Sequence, residues 1–278
     1  MAGKLTLVGT PIGNLGDLSP RARRTLEEAD FIAAEDTRVT LKLLNHFGIT
    51  KPLVSYYQHN KERSGERIVE RILSGESCAL VTDAGMPIVS DPGEDLAAAC
   101  AQAGIEISCV PGPCAAVTAL ALSALPAGRF CFEGFLSTSK KSREEHLDSL
   151  RGERRTMIFY EAPHKLQKTL SDLASAFGPE RRVSLCRELT KLHEEVLRTT
   201  LGEAVRLYEA EPPRGEFVLI VEGAPERAEE RPTSAAALER VKYYRSEGRS
   251  LKEAAKLAAA DTGYSKNELY ELALSRKG

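Results

Sequence analysis

The stretch LTLVGTPIGNLGDLSP, residues 5–20, decides the fold. An apolar run (Leu5, Leu7, Val8) stops at a loop carrying Gly9, Gly13 and Gly16. Ser19 and Pro20 then supply a cap and a first-turn residue, so a helix starts there. A strand, a glycine-bearing loop and a helix in that order make either a tight turn or a place where backbone comes close to a ligand. The glycines are spaced G-x-x-x-G-x-x-G and not as the dinucleotide fingerprint G-x-G-x-x-G. Pro11 removes an amide donor where a phosphate cradle needs one, and no Gly-Lys-Ser/Thr follows as a P-loop requires. A ligand held here lacks phosphates.

Outward from that loop, short apolar runs alternate with helical patterns. Strands are expected at Leu5–Val8, Phe31–Ala34, Leu53–Tyr56, Cys78–Thr82 and Ile105–Val110, with helices between them. That alternation reads as α/β with a mainly parallel sheet. A second set of runs follows at Phe130–Phe135, Thr156–Tyr160, Val183–Cys186, Val196–Leu201 and Glu216–Val221. Helices are expected there at about 142–151, 164–177 and 202–209, and two of the strands are joined with little helix, which predicts an α+β arrangement or a mixed sheet. The reading is therefore two α/β domains, 1–120 and 121–224, a charged, proline-bearing linker at 225–234, and a helical segment at 235–278. In that last segment Ser250 with Glu253 and Ser265 with Glu268 have capping-box spacing, and the break between them resembles a helix-turn-helix connection.

The 278 residues carry 42% hydrophobic and 28% charged residues, enough to bury real cores. The net charge of −2 gives no global sign of nucleic-acid or membrane affinity. Locally it is uneven: from Arg231 onward ten Lys/Arg face six Asp/Glu, leaving −6 on the preceding residues. Such a tail is either a nucleic-acid contact or a solvated helical cap. No apolar run is long enough to span a bilayer, and the N-terminus lacks a signal-peptide layout. The six cysteines have no CxxC or CxxH spacing, so they read as reduced, buried and structural in a cytoplasmic protein, with no metal.

Three further stretches carry chemistry. TDAGMPIVSDPG (82–93) follows a strand, where ligands of open α/β sheets bind; Asp83 can accept a hydrogen bond, while Asp91 is either functional or a turn residue. Its two aspartates are too far apart in a rigid loop to share Mg²⁺ easily. VPGPCAAVTALALSALP (110–126) ends a strand in Pro-Gly-Pro and opens a small-residue helix, which serves either packing or a bulky cofactor. AEDTR (34–38), YEAPHK (160–165) and RELTKLHEE (187–195) place acid–base clusters at strand ends, as a polar substrate site requires.

Taken together, VGTPIGNLGDLSPRA (8–22), ADFIAAEDTR (29–38), TDAGMPIVSDPG (82–93), VPGPCA (110–115), FEGFL (132–136), FYEAPHKL (159–166) and RELTKLHEE (187–195) resemble the tetrapyrrole methylase superfamily. They are closely similar to its ribosomal RNA small-subunit methyltransferase I branch, the cytidine ribose 2′-O-methyltransferases. The resemblance implies a homodimer of two-domain α/β chains with S-adenosylmethionine in the cleft between the domains. It implies methylation of a cytidine 2′-hydroxyl in the decoding region of 16S rRNA, free or in the assembled 30S subunit, and no DNA or membrane partner. By motif it implies cofactor contacts at Pro11, Asp83, Ala84, Gly85, Met86, Pro87, Ser90, Ala115 and Ala116. Thr82 and Cys114 stand where the family commonly has Ser, and both keep the side chain small.

A ribose hydroxyl is a poor nucleophile, so a base or a nearby cation would assist it. Asp36, Glu161, Lys191 and His193 are the candidates, and spacing does not choose among them. Arg38 and Arg187 suit phosphates, and Asn14 and Asp17 are expected to face the substrate. Two other readings stand beside this one: a methylase of the same superfamily acting on a tetrapyrrole or a protein side chain, and a non-enzymatic nucleic-acid-binding regulator built on the tail.

Overall fold

The computed structural model describes residues 3–58, 60–91, 93–210, 212–225 and 232–275. The chain divides into two compact units, Met1–Ala224 and Pro225–Gly278. The expected linker lies largely outside the described residues.

The first unit opens with a five-stranded, all-parallel sheet in the order β3-β2-β4-β1-β5. Its strands are β1 (Lys4–Val8), β2 (Phe31–Ala34), β3 (Leu53–Ser55), β4 (Cys78–Val81) and β5 (Glu106–Val110). The central strands β2 (FIAA) and β4 (CALV) are buried at every position. That is the mark of a parallel strand covered on both faces. Helices α1 (Pro20–Glu28) and α2 (Thr37–His46) cover one face through Ala22, Leu26 and Leu44, packed on Val8, Ile32 and Val81. Helices α3 (Lys61–Leu73) and α4 (Gly93–Gln102) cover the other through Ile68, Ile72 and Leu96, packed on Leu5, Phe31 and Leu80. The neighbours β1 and β4 thus send their chains to opposite faces, which opens a crevice at their carboxyl ends.

The second sheet is mixed, in the order β6-β7-β10-β8-β9. It comprises β6 (Phe130–Phe135), β7 (Thr156–Glu161), β8 (Arg182–Arg187), β9 (Glu195–Thr200) and β10 (Phe217–Val221). Only β6 and β7 run parallel; the β8–β9 connection is the helix-poor join expected from sequence. One face packs on α6 (Lys140–Ser149), α7 (Pro163–Phe177) and α8 (Leu201–Ala210) through Leu147, Leu166, Leu170 and Ala204. The other packs on α5 (Ala115–Leu122), whose Ala116, Ala119 and Leu120 meet Ile158, Cys186 and Ile220. The small residues of α5 let it lie close to that sheet, so the packing reading of this helix is realised.

The second unit contains α9 (Ser234–Ser246), α10 (Leu251–Thr262) and α11 (Lys266–Ser275) around Ala237, Val241, Ala254, Ala258 and Leu269. Ser250 and Glu253 form the reciprocal capping box read from sequence, and Ser265 and Glu268 exchange the same two bonds. Among the described residues no helix is long and apolar enough to cross a membrane. Cys78, Cys100 and Cys186 are buried as expected, whereas Cys114 and Cys131 are half-buried and Cys109 is exposed. Cys109 departs from the expectation because β5 is an edge strand.

Candidate functional site

Three loops leave the carboxyl ends of β1, β4 and β5, and they are locked together. The Thr10 and Gly85 backbones bond to each other in an isolated antiparallel bridge, at 2.9 and 3.2 Å. The Thr10 hydroxyl adds a bond to the Thr82 carbonyl at 3.3 Å. The Gly9 amide donates to the Val110 carbonyl at 3.1 Å, and the Gly112 amide approaches Met86 Sδ at 3.2 Å. Gly9 and Gly112 touch backbone to backbone: a Cβ on Gly9 would sit 2.7 Å from the Gly112 Cα and from Met86 Sδ. Gly9 of the opening motif is thus forced by close approach of chain to chain. Pro11, Gly85, Pro87 and Ala116 are buried, Met86 and Ala115 are half-buried, and Asp83, Ala84 and Ser90 are exposed. Ile88 and Ser90 hold left-handed backbone, a conformation non-glycine residues adopt only where surroundings impose it.

The same loops reach the second sheet at three points. The Ala116 amide, in the first turn of α5, donates to the Tyr160 hydroxyl at 3.1 Å. Gly13 lies against the loop after β8, where a Cβ would meet Lys191 Cγ at 2.5 Å and Thr190 Oγ1 at 2.8 Å. Gly134 in β6 lies beside Ser90, whose Oγ would be 3.5 Å from an added Cβ. The cleft between the two sheets is therefore walled by the first loop, residues 82–91, the start of α5, and the loop 188–191.

Carboxylates gather at one side of it. Asp36 caps α2 by accepting from the Arg38 amide at 2.8 Å, and grips the Arg38 guanidinium through both oxygens. The Arg38 hydrogen bonds hold the Asp36 carboxyl down at about 2. The Asp36 amide in turn donates to Asp83 Oδ1 at 3.0 Å. Burial pushes the Asp83 carboxyl above its ordinary value, against the pull of that amide. Behind them, the Thr82 hydroxyl donates to Glu35 Oε2 at 3.0 Å. Asp91 joins this pair; burial first, then the Glu35 carboxylate, raises its carboxyl to about 7 while Thr82 opposes. Asp91 is thus part of a half-buried polar cluster with Glu35 and buried Thr82, and more than a turn residue.

On the second sheet, Lys191 is held by Glu188 and Glu216, each at 2.9 Å. Desolvation works to lower its pKa, but the two carboxylates outweigh it and the net shift is upward. Glu188 and Thr190 are both left-handed, and Thr190 Oγ1 and Arg187 Nε are buried without a hydrogen-bond partner. Arg187 meets Glu195 at 2.9 Å through its outer nitrogen. His193 is exposed in the connection to β9.

Glu161 sits elsewhere. It is only 4% exposed and accepts from the Thr169 hydroxyl at 2.5 Å and the Ala162 amide at 2.9 Å. Alternation along β7 sends Met157, Phe159 and Glu161 toward α7, and Ile158 and Tyr160 toward α5. Glu161 and Tyr160 are adjacent in the motif but lie on opposite faces, and it is Tyr160 that reaches the cleft. Asn14 and Asp17 are exposed on a 3₁₀ turn, Leu15–Asp17, where the Asn14 side chain accepts from the Gly16 amide at 3.0 Å. The structure brings Asp36, Arg38 and Asp83 together, and Gly13 with Lys191, but leaves Glu161 apart. Glu35, Glu188 and Tyr160 lie inside stretches that the sequence singles out but are not among its candidate site residues; for Tyr160 the period-2 pattern of β7 is the available signal.

The family described as Tetrapyrrole (Corrin/Porphyrin) Methylases matches residues 4–205, and the RsmI C-terminal HTH domain matches residues 229–277. The chain is 49% identical over 273 residues to the ribosomal RNA small subunit methyltransferase I of Halalkalibacterium halodurans, covering 97% of this chain and 94% of the relative. It is 45% identical over 274 residues to the protein of the same name from Synechocystis, covering 98% of each. Among solved structures, the uroporphyrin-III C-methyl transferase of Thermus thermophilus complexed with S-adenyl homocysteine aligns with TM-score 0.55 at 18% identity. That alignment covers 78% of this chain and 97% of the other.

Proposed function

From the premise that the chain belongs to the tetrapyrrole methylase family, in its ribosomal RNA small subunit methyltransferase I branch, we propose that it methylates 16S ribosomal RNA from S-adenosylmethionine. The acceptor in this reading is the 2′-hydroxyl of a cytidine in the decoding region, in the free rRNA or the assembled 30S subunit. The observation that carries it is the interlocked set of strand-end loops. Among Pro11, Asp83–Pro87, Ser90, Ala115 and Ala116 the only charged side chain is the Asp83 carboxylate. No cation is offered to a phosphate there, and Pro11 and Pro87 bring carbonyl acceptors without amide donors. Such a set suits a cationic sulfonium in a cleft.

The bound cofactor supplies an electrophilic methyl, and the protein's part is to bring an oxygen in line with it. In our reading Asp36 and Arg38 act as a unit: the low carboxyl stays ionised and positions the guanidinium for a phosphate. Lys191, fixed in place by Glu188 and Glu216, remains a cation that stabilises negative charge on the attacking ribose oxygen. His193 is placed as the proton acceptor, Glu161 as the buried support of the α7 start, and Arg187, Asn14 and Asp17 as RNA contacts. The two α/β halves, 1–120 and 121–224, are taken as the walls of the site, and the active species as a cytoplasmic homodimer.

Incubating the protein with methyl-labelled cofactor and small-subunit rRNA or whole subunits tests this. One labelled cytidine, resistant to alkaline cleavage at its 3′ side, is the expected product. Label on a base, or none on any RNA preparation, refutes it.

A further inference from the structure

We propose that an open cleft at the amino-terminal ends of β6 and β7 docks the phosphodiester backbone of a single-stranded RNA segment whose bases run along β6 toward the cofactor loops. This rests on the rRNA reading above and adds a second, remote contact to it.

The open cleft has a volume of about 690 Å³ between the turn before β6, with Pro126, Gly128 and Arg129, and the turn before β7, residues 152–155. Among the described residues, Arg129, Arg154 and Arg155 line it beside one acid, Glu153, although residues 1–230 carry −6 overall. That acid is already spent. Glu153 accepts from the Arg155 amide at 2.8 Å and from the Arg155 guanidinium at 2.9 and 2.6 Å. The guanidinium has five N–H donors and gives two to Glu153, so three remain for a phosphate. Buried Thr156 donates to the Pro126 carbonyl at 2.6 Å and ties the two turns together. Gly128 and Gly152 have neither left-handed backbone nor any atom within 4 Å of an added Cβ. Neither packing nor backbone geometry demands glycine there, and their bareness keeps the cleft open.

Aromatic rings lead away from it. β6 is an edge strand, paired only with β7, and its register sets Phe130 opposite Thr156, Phe132 opposite Ile158 and Phe135 opposite Tyr160. The bulge between Phe132 and Gly134 returns Phe135 to the face of the other two. The three rings are 42%, 37% and 58% exposed, and Phe132 and Phe135 meet Tyr160 edge-on at 5.0 and 5.5 Å. Tyr160 is the residue that holds the Ala116 amide at the start of α5. A basic cleft followed by exposed rings on one face is the arrangement that tracks backbone and stacks bases of single strands. The last residue of this unit also lies at the cleft, where the Ala224 amide bonds the Glu153 carbonyl at 2.5 Å.

Full-length wild type, Arg129→Glu, Gly152→Glu and Phe130→Ala are to be titrated with naked small-subunit rRNA across a salt series, and assayed for methyl transfer on rRNA and assembled subunits. The two glutamates are expected to weaken RNA binding about fivefold each and to lower the salt slope by about 0.7 for each phosphate no longer held. Phe130→Ala should weaken binding with the slope unchanged, and KM for RNA should rise in all three at constant kcat and cofactor affinity. Unchanged RNA affinity in both charge variants overturns the proposal. So does weakening seen only with assembled subunits, which would mark a protein partner. If wild type binds RNA through this cleft but transfers no methyl to it, the methylation reading falls and this one stands.

Discussion

Thr10 and Gly85 exchange two backbone hydrogen bonds across the crevice between β1 and β4, although the strands they follow are parallel. The bridge turns two separate strand-end loops into one surface. Gly85 takes part with φ at +91°, and a Cβ there would press on Ile12 Cγ2 at 3.3 Å. The cleft geometry therefore depends on a residue without a side chain.

Gly85→Val should cost about 1–2 kcal/mol in backbone strain alone, with more from the β-branched contact. Calorimetric melting should show a lowered Tm. Cofactor affinity should fall at least about tenfold, the equivalent of ~1.4 kcal/mol.

Gly9→Ala should be more damaging than its single methyl suggests. The new carbon would lie 2.7 Å from the Gly112 backbone, which cannot rotate away as a side chain would. Overpacking of this kind costs about 1–3 kcal/mol. Gly128→Ala, with open space around it, is the matched control and should leave stability within about 0.5 kcal/mol of wild type.

These contrasts mark what the sequence could and could not say. The ten strands of the described residues were readable, since short β-branched or apolar runs such as CALV and FVLIV bounded by turn residues suit buried strands, and their ends moved by only a residue or so in the structure. The mixed second sheet followed from the short β8–β9 join. Proline and glycine punctuation placed the three loops at strand ends. It could not show that they bond to one another, because Thr10–Gly85 and Gly9–Gly112 are contacts between residues over seventy apart. The left-handed Ile88, Ser90, Glu188 and Thr190 carry no composition signal at all. Glu161 was drawn toward the site by its motif, while its strand parity turned it to the α7 side.

Tyr160→Phe should keep the ring contacts with Phe132 and Phe135 but orphan the Ala116 amide. An unsatisfied buried donor costs about 1–3 kcal/mol. The expected signature is weaker cofactor binding with RNA affinity unchanged, read by separate titrations of the two ligands.

Asp91 should make stability fall as pH rises. Unfolded, its carboxyl ionises near the ordinary 3.8; folded, burial and the Glu35 carboxylate raise it to about 7. Between those values the folded chain holds one more proton than the unfolded chain. This contribution is therefore complete below 3.8 and lost progressively as pH climbs to about 7. Asp91→Asn removes it, so the variant should gain on wild type in urea denaturation at about pH 8 relative to about pH 5. Thr82, Glu35 and Asp83 surround the group, and an equal gap at both pH values would assign the titration to one of the carboxylates among them.

The central claim is that the three locked loops form a site for a phosphate-free cofactor. Isothermal titration of wild type and Gly85→Val with S-adenosylmethionine, NAD and ATP tests it most directly. Saturable binding of S-adenosylmethionine alone, in the micromolar range or tighter and lost in Gly85→Val, is the expected result. Equal binding of NAD or ATP, or full S-adenosylmethionine affinity in Gly85→Val, would contradict it.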